Sequence, residues 1–316
     1  MLTIGHMNPS DVKQGQLAQV TGPFKDAVPE LQLQGLRRPV SMTKADLDGD
    51  QLEDLIVCQY GNNLGALVWY RQISPGKYKP VVLKNLPGAR KAEVTDLNGD
   101  GRLDVVAMFA QATESVKVFY NKGNGAFEEK TLVQFPPVYE LSYFELVDFN
   151  KDGHLDIVLS NGDNADYSPV LKPYHGIRVL LNNGQNTFRE SFFYPMPGAS
   201  KVLARDFDQD GDLDLAAISF FPDFKNAPEK GFVYLQQQSD HTFKASTFPQ
   251  SQTGHWLTME AADYDQDNDL DLILGSFIYT PAPPAIQQKW MKEGPAILVL
   301  QNNSKQPKSK VAVVKK

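Results

Sequence analysis

Cysteine is nearly absent from this chain: Cys58 stands alone among 316 residues. One thiol excludes an intrachain disulfide framework and a thiolate zinc site. Long apolar runs are missing as well, and no stretch of 18 apolar residues suggests a membrane span. The start, MLTIGHMNPS, has neither a charged n-region nor an apolar h-region, so no signal peptide is visible. The expectation is that one was removed, or that the chain is a piece of a larger exported protein. No nucleophile elbow, Walker loop or His-x-x-x-His pair occurs. Lys and Arg are dispersed and no recognition helix is evident, which argues against nucleic-acid binding.

What is present is an acidic nonamer, five times over. The copies are DLDGDQLED from Asp46, DLNGDGRLD from Asp96, DFNKDGHLD from Asp148, DFDQDGDLD from Asp206 and DYDQDNDLD from Asp263. Their starts lie 50, 52, 58 and 57 residues apart, and such a steady period defines a repeat architecture. Aspartates at positions 1, 3 and 5 of a tightly turned loop converge on one point. A carbonyl at position 7 and an Asp at position 9 complete an all-oxygen shell, which suits Ca²⁺, one ion per loop and up to five in all. An EF-hand would need Glu at position 12. That position is Val57, Ala107, Leu159, Ala217 and Leu274, so the EF-hand is excluded five times. Gln51 and Asn268 replace Gly at position 6. Gln tolerates positive φ poorly, which makes the first loop, with Asp46, Asp48, Asp50 and Asp54, the least secure site.

These loops also reorganise the charge. Of 38 acidic residues, 21 lie inside them, beside only Arg102 and Lys151. Outside, 17 acids face 29 Lys and Arg, five of the latter being Lys305, Lys308, Lys310, Lys315 and Lys316 in the tail. Five calcium ions would carry the formal net charge from −7 to +3 and favour anionic partners.

Around each loop the pattern is strand-like. A short strand leads in (SMTKA, KAEVT, YFELV, VLARD, LTMEAA) and an apolar strand follows (LIVC, VVAMF, IVLS, LAAISF, LILGSF). A third strand (ALVWY, VKVFY, IRVLL, FVYLQ, AILVL) turns into a fourth that opens near Tyr78, Phe127, Phe188 or Phe243. Four antiparallel strands per unit of about 50 residues predict an all-β fold, a β-propeller of four-stranded blades. The fifth repeat lacks a fourth strand, and PFKDAVPELQL near the start resembles one. Five blades are therefore expected, with the N-terminal strand closing the last; six or seven is the alternative for a fragment. The expected boundaries are an N-terminal extension over 1–19, the propeller over 20–303 and a basic tail over 304–316.

The Asp-x-Asp-x-Asp-Gly-x-x-Asp loop between the first two strands of a blade resembles the FG-GAP/VCBS repeat family, bacterial secreted members included, whose calcium loops also occur in integrin α-subunit propellers. The resemblance implies ligands residue by residue. They are Asp96, Asn98, Asp100 and Asp104 with the Arg102 carbonyl, and Asp148, Asn150, Asp152 and Asp156 with that of His154. Asp206, Asp208, Asp210 and Asp214 go with Asp212, and Asp263, Asp265, Asp267 and Asp271 with Asp269. The first loop matches at Asp46, Asp48, Asp50 and Asp54 with Leu52, and departs at Gln51. Family members include adhesion receptors, lectins and some carbohydrate lyases and dehydratases, enzymes that need none of the linear motifs sought above.

Antiparallel order puts all five loops on one face and the longer connections on the other, where binding sites usually sit. The third-repeat insert offers Asp163, Asn164, Asp166, Lys172, Tyr174 and His175. Segments leading into first strands add Arg90, Lys91, Lys201, His255 and Trp256, and Trp256 or Tyr174 could stack on a sugar ring. Glu93, Glu145 and Glu260 hold equivalent first-strand positions. With His175 and His255 they are the candidate acid–base groups. The first expectation is an extracellular, periplasmic or cell-surface binding module for a glycan or protein. It would be monomeric or part of a multidomain protein. A carbohydrate-active enzyme, or a purely structural module, is the alternative.

Overall fold

The computed structural model describes residues 2–5, 8–22, 28–162, 170–238, 242–278 and 282–304. The chain divides into two compact units, Met1–Leu141 with Asn183–Phe188, and Ser142–Asn182 with Arg189–Lys316. Among the described residues each carries three sheets.

In the first unit, β1 (Leu2–Thr3), β2 (Gly15–Val20) and β3 (Pro29–Leu36) form a three-stranded sheet. A four-stranded sheet follows, made of β4 (Pro39–Ala45), β5 (Asp54–Gln59), β6 (Ala66–Ser74) and β7 (Lys77–Lys84). The next is β8 (Ala89–Thr95), β9 (Asp104–Gln111), β10 (Thr113–Gly123) and β11 (Ala126–Phe135). The second unit repeats the plan with β12 (Leu141–Val147), β13 (Asp156–Asn161), β14 (Gly176–Asn182) and β15 (Phe188–Pro195). Then come β16 (Ala199–Arg205), β17 (Asp214–Ser219), β18 (Phe232–Gln237) and β19 (Phe243–Ser246). A three-stranded sheet of β20 (Trp256–Ala262), β21 (Asp271–Ser276) and β22 (Ile297–Leu300) ends the series. In every sheet the strands lie in chain order, the antiparallel blade of a β-propeller.

Burial explains the sequence pattern. The strands directly after the loops, β5, β13 and β17, are buried at every residue, so they read as unbroken apolar runs rather than alternating ones. Outer strands such as β11 are largely exposed and carry charge. Between neighbouring blades lie apolar layers. In the first unit Leu47, Ile56, Trp69, Val105, Phe109 and Phe119 pack together. In the second unit Phe149, Val158, Ile177, Val202, Leu215 and Val233 do so.

Six sheets, not five, are present among the described residues, and the N-terminal strand does not close the last of them. Instead β3 pairs with β2, from Gly15↔Leu36 to Val20↔Pro29. Packing gives the reason: Leu17 and Leu36 are buried against Leu55 and Val57 of the second sheet, which fixes the N-terminal hairpin there. The stretch before residue 20, expected to be an extension, thus supplies β1 and β2. The fifth repeat's long insert, expected to be a loop, contains helix α1 (Pro284–Glu293), which buries Trp290.

Candidate metal-binding loops

Each acidic nonamer turns the same way. Positions 4 and 6 are both left-handed: Gly49 and Gln51, Gly99 and Gly101, Lys151 and Gly153, Gln209 and Gly211, Gln266 and Asn268, with φ from 60° to 101°. Gln51 takes φ 70° despite its residue type. The strain is offset by Asp46, which accepts the N–H groups of Gly49 (2.8 Å), Asp50 (3.1 Å) and Gln51 (2.8 Å). At position 7 the N–H of Leu52, Arg102, His154, Asp212 and Asp269 donates to the position-5 carboxylate at 2.9–3.1 Å.

Position 9 has a second duty besides the expected ligation. Asp54, Asp104, Asp156, Asp214 and Asp271 are fully buried. One oxygen of each accepts a backbone N–H from the end of the third strand, from Gln72, Asn121, Asn182, Gln237 or Asn302, at 2.7–2.8 Å. The other accepts the position-2 N–H of Leu47, Leu97, Phe149 or Tyr264 at 2.8–3.1 Å. In the fourth loop Tyr234 Oη takes that place, 2.5 Å from Asp214. These aspartates therefore latch loop to strand. Burial pushes the carboxyls of Asp104, Asp156 and Asp214 up from their ordinary value, while the hydrogen bonds oppose it.

Three loops gather carboxylates tightly. Asp46, Asp48 and Asp50, then Asp206, Asp208 and Asp210, then Asp263, Asp265 and Asp271 each bring one oxygen within 4.8 Å of the others. Asp206 Oδ1 is buried without a hydrogen-bond partner. Burial, together with the charges of Asp267, Asp271 and Asp265, pushes buried Asp269 up to about 6. Crowded carboxylates, with one Asp206 oxygen left without a partner, are an arrangement that a hard cation would relieve, so the residues fit the expected ion. In the second and third loops, Asn98 and Asn150 instead donate to Asp100 (3.1 Å) and Asp152 (2.9 Å).

Neighbouring loops are tied together. Within the second unit, Lys151 Nζ lies 2.6 Å from Asp212, and Gln209 donates to the Asn268 carbonyl at 2.8 Å. Asn121 donates to the Leu47 carbonyl at 2.8 Å and Asn302 to that of Phe207 at 2.6 Å, the same position-2 carbonyl each time. Sequence reasoning missed these hooks. Their signal is the Asn that ends YN and QN after a third strand.

The candidates on the other connections are mostly closed in. Trp256 is fully buried, its Nε1 donating to the Ser251 carbonyl at 2.6 Å, so it is a packing residue rather than a sugar-stacking platform. His255 is buried between Phe220 (centroids 3.7 Å apart, planes at 6°) and Trp290 (4.7 Å, 14°). Its Nε2 lies 2.5 Å from the Phe220 carbonyl, and burial lowers its pKa. It borders a cavity of about 100 Å³ lined also by Phe224, Ser251, Ile286 and Trp290. His175 is buried edge-on to Tyr174, whose carbonyl accepts from Asn161 and Arg178. Lys172 and Arg90 are half-buried, and Asp163, Asn164 and Asp166 lie outside the described residues. The first-strand glutamates all have cations: Glu93 with Lys91 at 2.6 Å, Glu145 with Arg205 at 3.0 Å, and Glu260 with Lys201 at 2.6 Å. Glu145 also accepts from Ala204 N and Tyr143 Oη.

A family model described as an FG-GAP-like repeat matches residues 46–107, 96–159 and 206–274, and so takes in all five loops. Over 169 residues, half of this chain, the sequence is 28% identical to Cartilage acidic protein 1 of Xenopus tropicalis. That match covers 24% of the relative's length. Among solved structures, the GH32 beta-fructofuranosidase BmSUC1 of Bombyx mori is similar at 11% identity with a TM-score of 0.40, over 74% of this chain and 56% of that one. Similarity at that level carries no functional reading. No helix among the described residues is long and apolar enough to cross a membrane.

Proposed function

The chain belongs to the FG-GAP-like repeat family, and we propose that it is a calcium-stabilised, extracellular ligand-binding module. The observation that carries the calcium reading is the convergence of three carboxylates within 4.8 Å in the fourth and fifth loops, with Asp206 Oδ1 buried and partnerless. The ligand atoms would be the carboxylates at positions 1, 3 and 5 and, beside its latch bonds, at position 9. Loops with irregular position 6 or a reduced charge suit the millimolar calcium found outside cells.

Binding rather than catalysis is supported by the candidate acid–base groups. Each glutamate is matched by its own cation, and both histidines are buried in aromatic or backbone contacts. The ligand would be a glycan or protein held by connections at the sheet ends away from the acidic loops, around Lys172 and Tyr174. The excess of basic residues outside the loops favours an anionic one. Calcium added to chelated protein should raise the melting temperature by several degrees. An unchanged melting temperature at millimolar calcium would overturn the calcium reading. A glycan array in the same buffer tests the ligand: binding only to neutral glycans would exclude the anionic class.

A further inference from the structure

The five loops differ at one place outside the nonamer. The residue just before each latch donor on the third strand is Arg71, Tyr120, Leu181, Gln236 and Gln301 in turn. Where position 3 is Asp, this residue reaches it. Gln236 Nε2 donates to Asp208 at 2.6 Å and Gln301 Nε2 to Asp265 at 3.1 Å. Where position 3 is Asn, the residue is Tyr120 or Leu181, and the Asn amide turns to position 5 instead. The strand residue is thus matched to the charge of position 3.

In the first loop the matching group is itself a cation. Arg71 Nε pairs with Asp48 Oδ2, and Nη2 lies 3.7 Å from Asp50 Oδ2. The guanidinium bridges positions 3 and 5, two of the three carboxylates that converge there. The pairing is an ion pair between guanidinium and carboxylate. Other basic residues near the loops do less. Arg102 reaches only Asp100, at 2.5 Å, with its Nε anchored on the Asn121 carbonyl. Lys151 meets the position-7 side chain of the next loop. An arginine stays charged at any working pH, so it cannot yield its place by losing a proton.

We propose that Arg71 is the built-in counter-ion of the first loop, holding it closed without a metal ion and keeping calcium out. This rests on the calcium reading only for its second half. The other loops would then depend on the ion while the first does not, and calcium would number at most four per chain.

The test is calcium stoichiometry by equilibrium dialysis, with melting in excess chelator, for the intact chain, Arg71→Gln and Arg71→Lys. Gln is the residue that the fourth and fifth loops already carry. Arg71→Gln should bind one more calcium than the unaltered chain, and Arg71→Lys the same number. In chelator Arg71→Gln should melt lower, and adding Asp48→Asn should restore it. Equal stoichiometry for the unaltered chain and Arg71→Gln, where the unaltered chain binds calcium, overturns the exclusion. Equal melting in chelator overturns the counter-ion itself. If the unaltered chain binds no calcium, the calcium reading fails, and the chelator arm still decides the role of Arg71.

Discussion

Replacing Asp156 separates two roles that the nonamer combines. As a pure metal ligand, Asp156 would be a liability without the ion. Asp156→Asn would remove a charge that burial and the neighbouring Asp152 disfavour, and the chelated protein would become no less stable. The geometry requires the opposite sign. Asp156 is fully buried, and its two oxygens accept the N–H groups of Phe149 at 2.9 Å and Asn182 at 2.7 Å. Truncation to Ala strands both donors in the interior, at about 1–3 kcal/mol each, so roughly 2–6 kcal/mol in total. Asn keeps one acceptor and loses the buried charge, so it should cost about 1–3 kcal/mol. Against a domain stability of about 5–15 kcal/mol, the Ala variant is a large perturbation. The assay is denaturant unfolding in excess chelator, so that ligation contributes nothing. A midpoint for Asp156→Ala equal to or above that of the unaltered protein would refute the latch.

Two further outcomes follow from the same physics. Asp269 is raised from 3.8 to about 6 in the folded, metal-free chain. Its contribution to stability is therefore fully present below pH 3.8, is lost as pH rises to about 6, and amounts to at most about 3 kcal/mol. Asp269→Asn should flatten that part of the stability–pH curve in chelator, and a difference curve without slope between pH 4 and 6 would contradict it. Trp290→Ala removes one face of the His255 stack and the bond to the Gln252 carbonyl (2.9 Å). It should cost about 3–5 kcal/mol, and the His255 titration followed by NMR should move up towards its ordinary value as burial is relieved.

Much of the fold was legible because the nonamer is a punctuation mark with a fixed place between first and second strands. Every strand anchored to it, and the fourth strands opening at Tyr78, Phe127, Phe188 and Phe243, occurs where the pattern put it. Of the first sheet only β3 was legible, in the strand-like PELQL, because the sheet carries no nonamer. GQLAQV has no feature to distinguish it from an extension until Leu17 is seen packed on Leu55 and Val57. Helix α1 was masked by PAPPA: proline signals a break, yet Pro284 sits in the first turn, where a missing N–H costs nothing. Trp256 and His255 looked like binding residues because aromatic and imidazole groups beside a loop suit both recognition and packing. Only burial decides between those, and burial depends on Phe220, Ser251 and Trp290, which are distant or unremarkable in sequence.

The latch also changes what a match to the motif means. Positions 1, 5 and 9 accept backbone N–H groups of the loop and its strand, bonds that need no ion to form. Position 3 is different. Asp48, Asp208 and Asp265 meet a third-strand side chain, and Asn98 and Asn150 turn to position 5. Selection for folding alone would therefore keep the aspartates at 1, 5 and 9, and let position 3 and its strand partner drift together. That is the pattern of variation seen between the five copies. Counting nonamers thus counts folded turns; on the calcium reading, a count of ions would turn on position 3 and its partner on the third strand, and in the first loop that partner is already a cation.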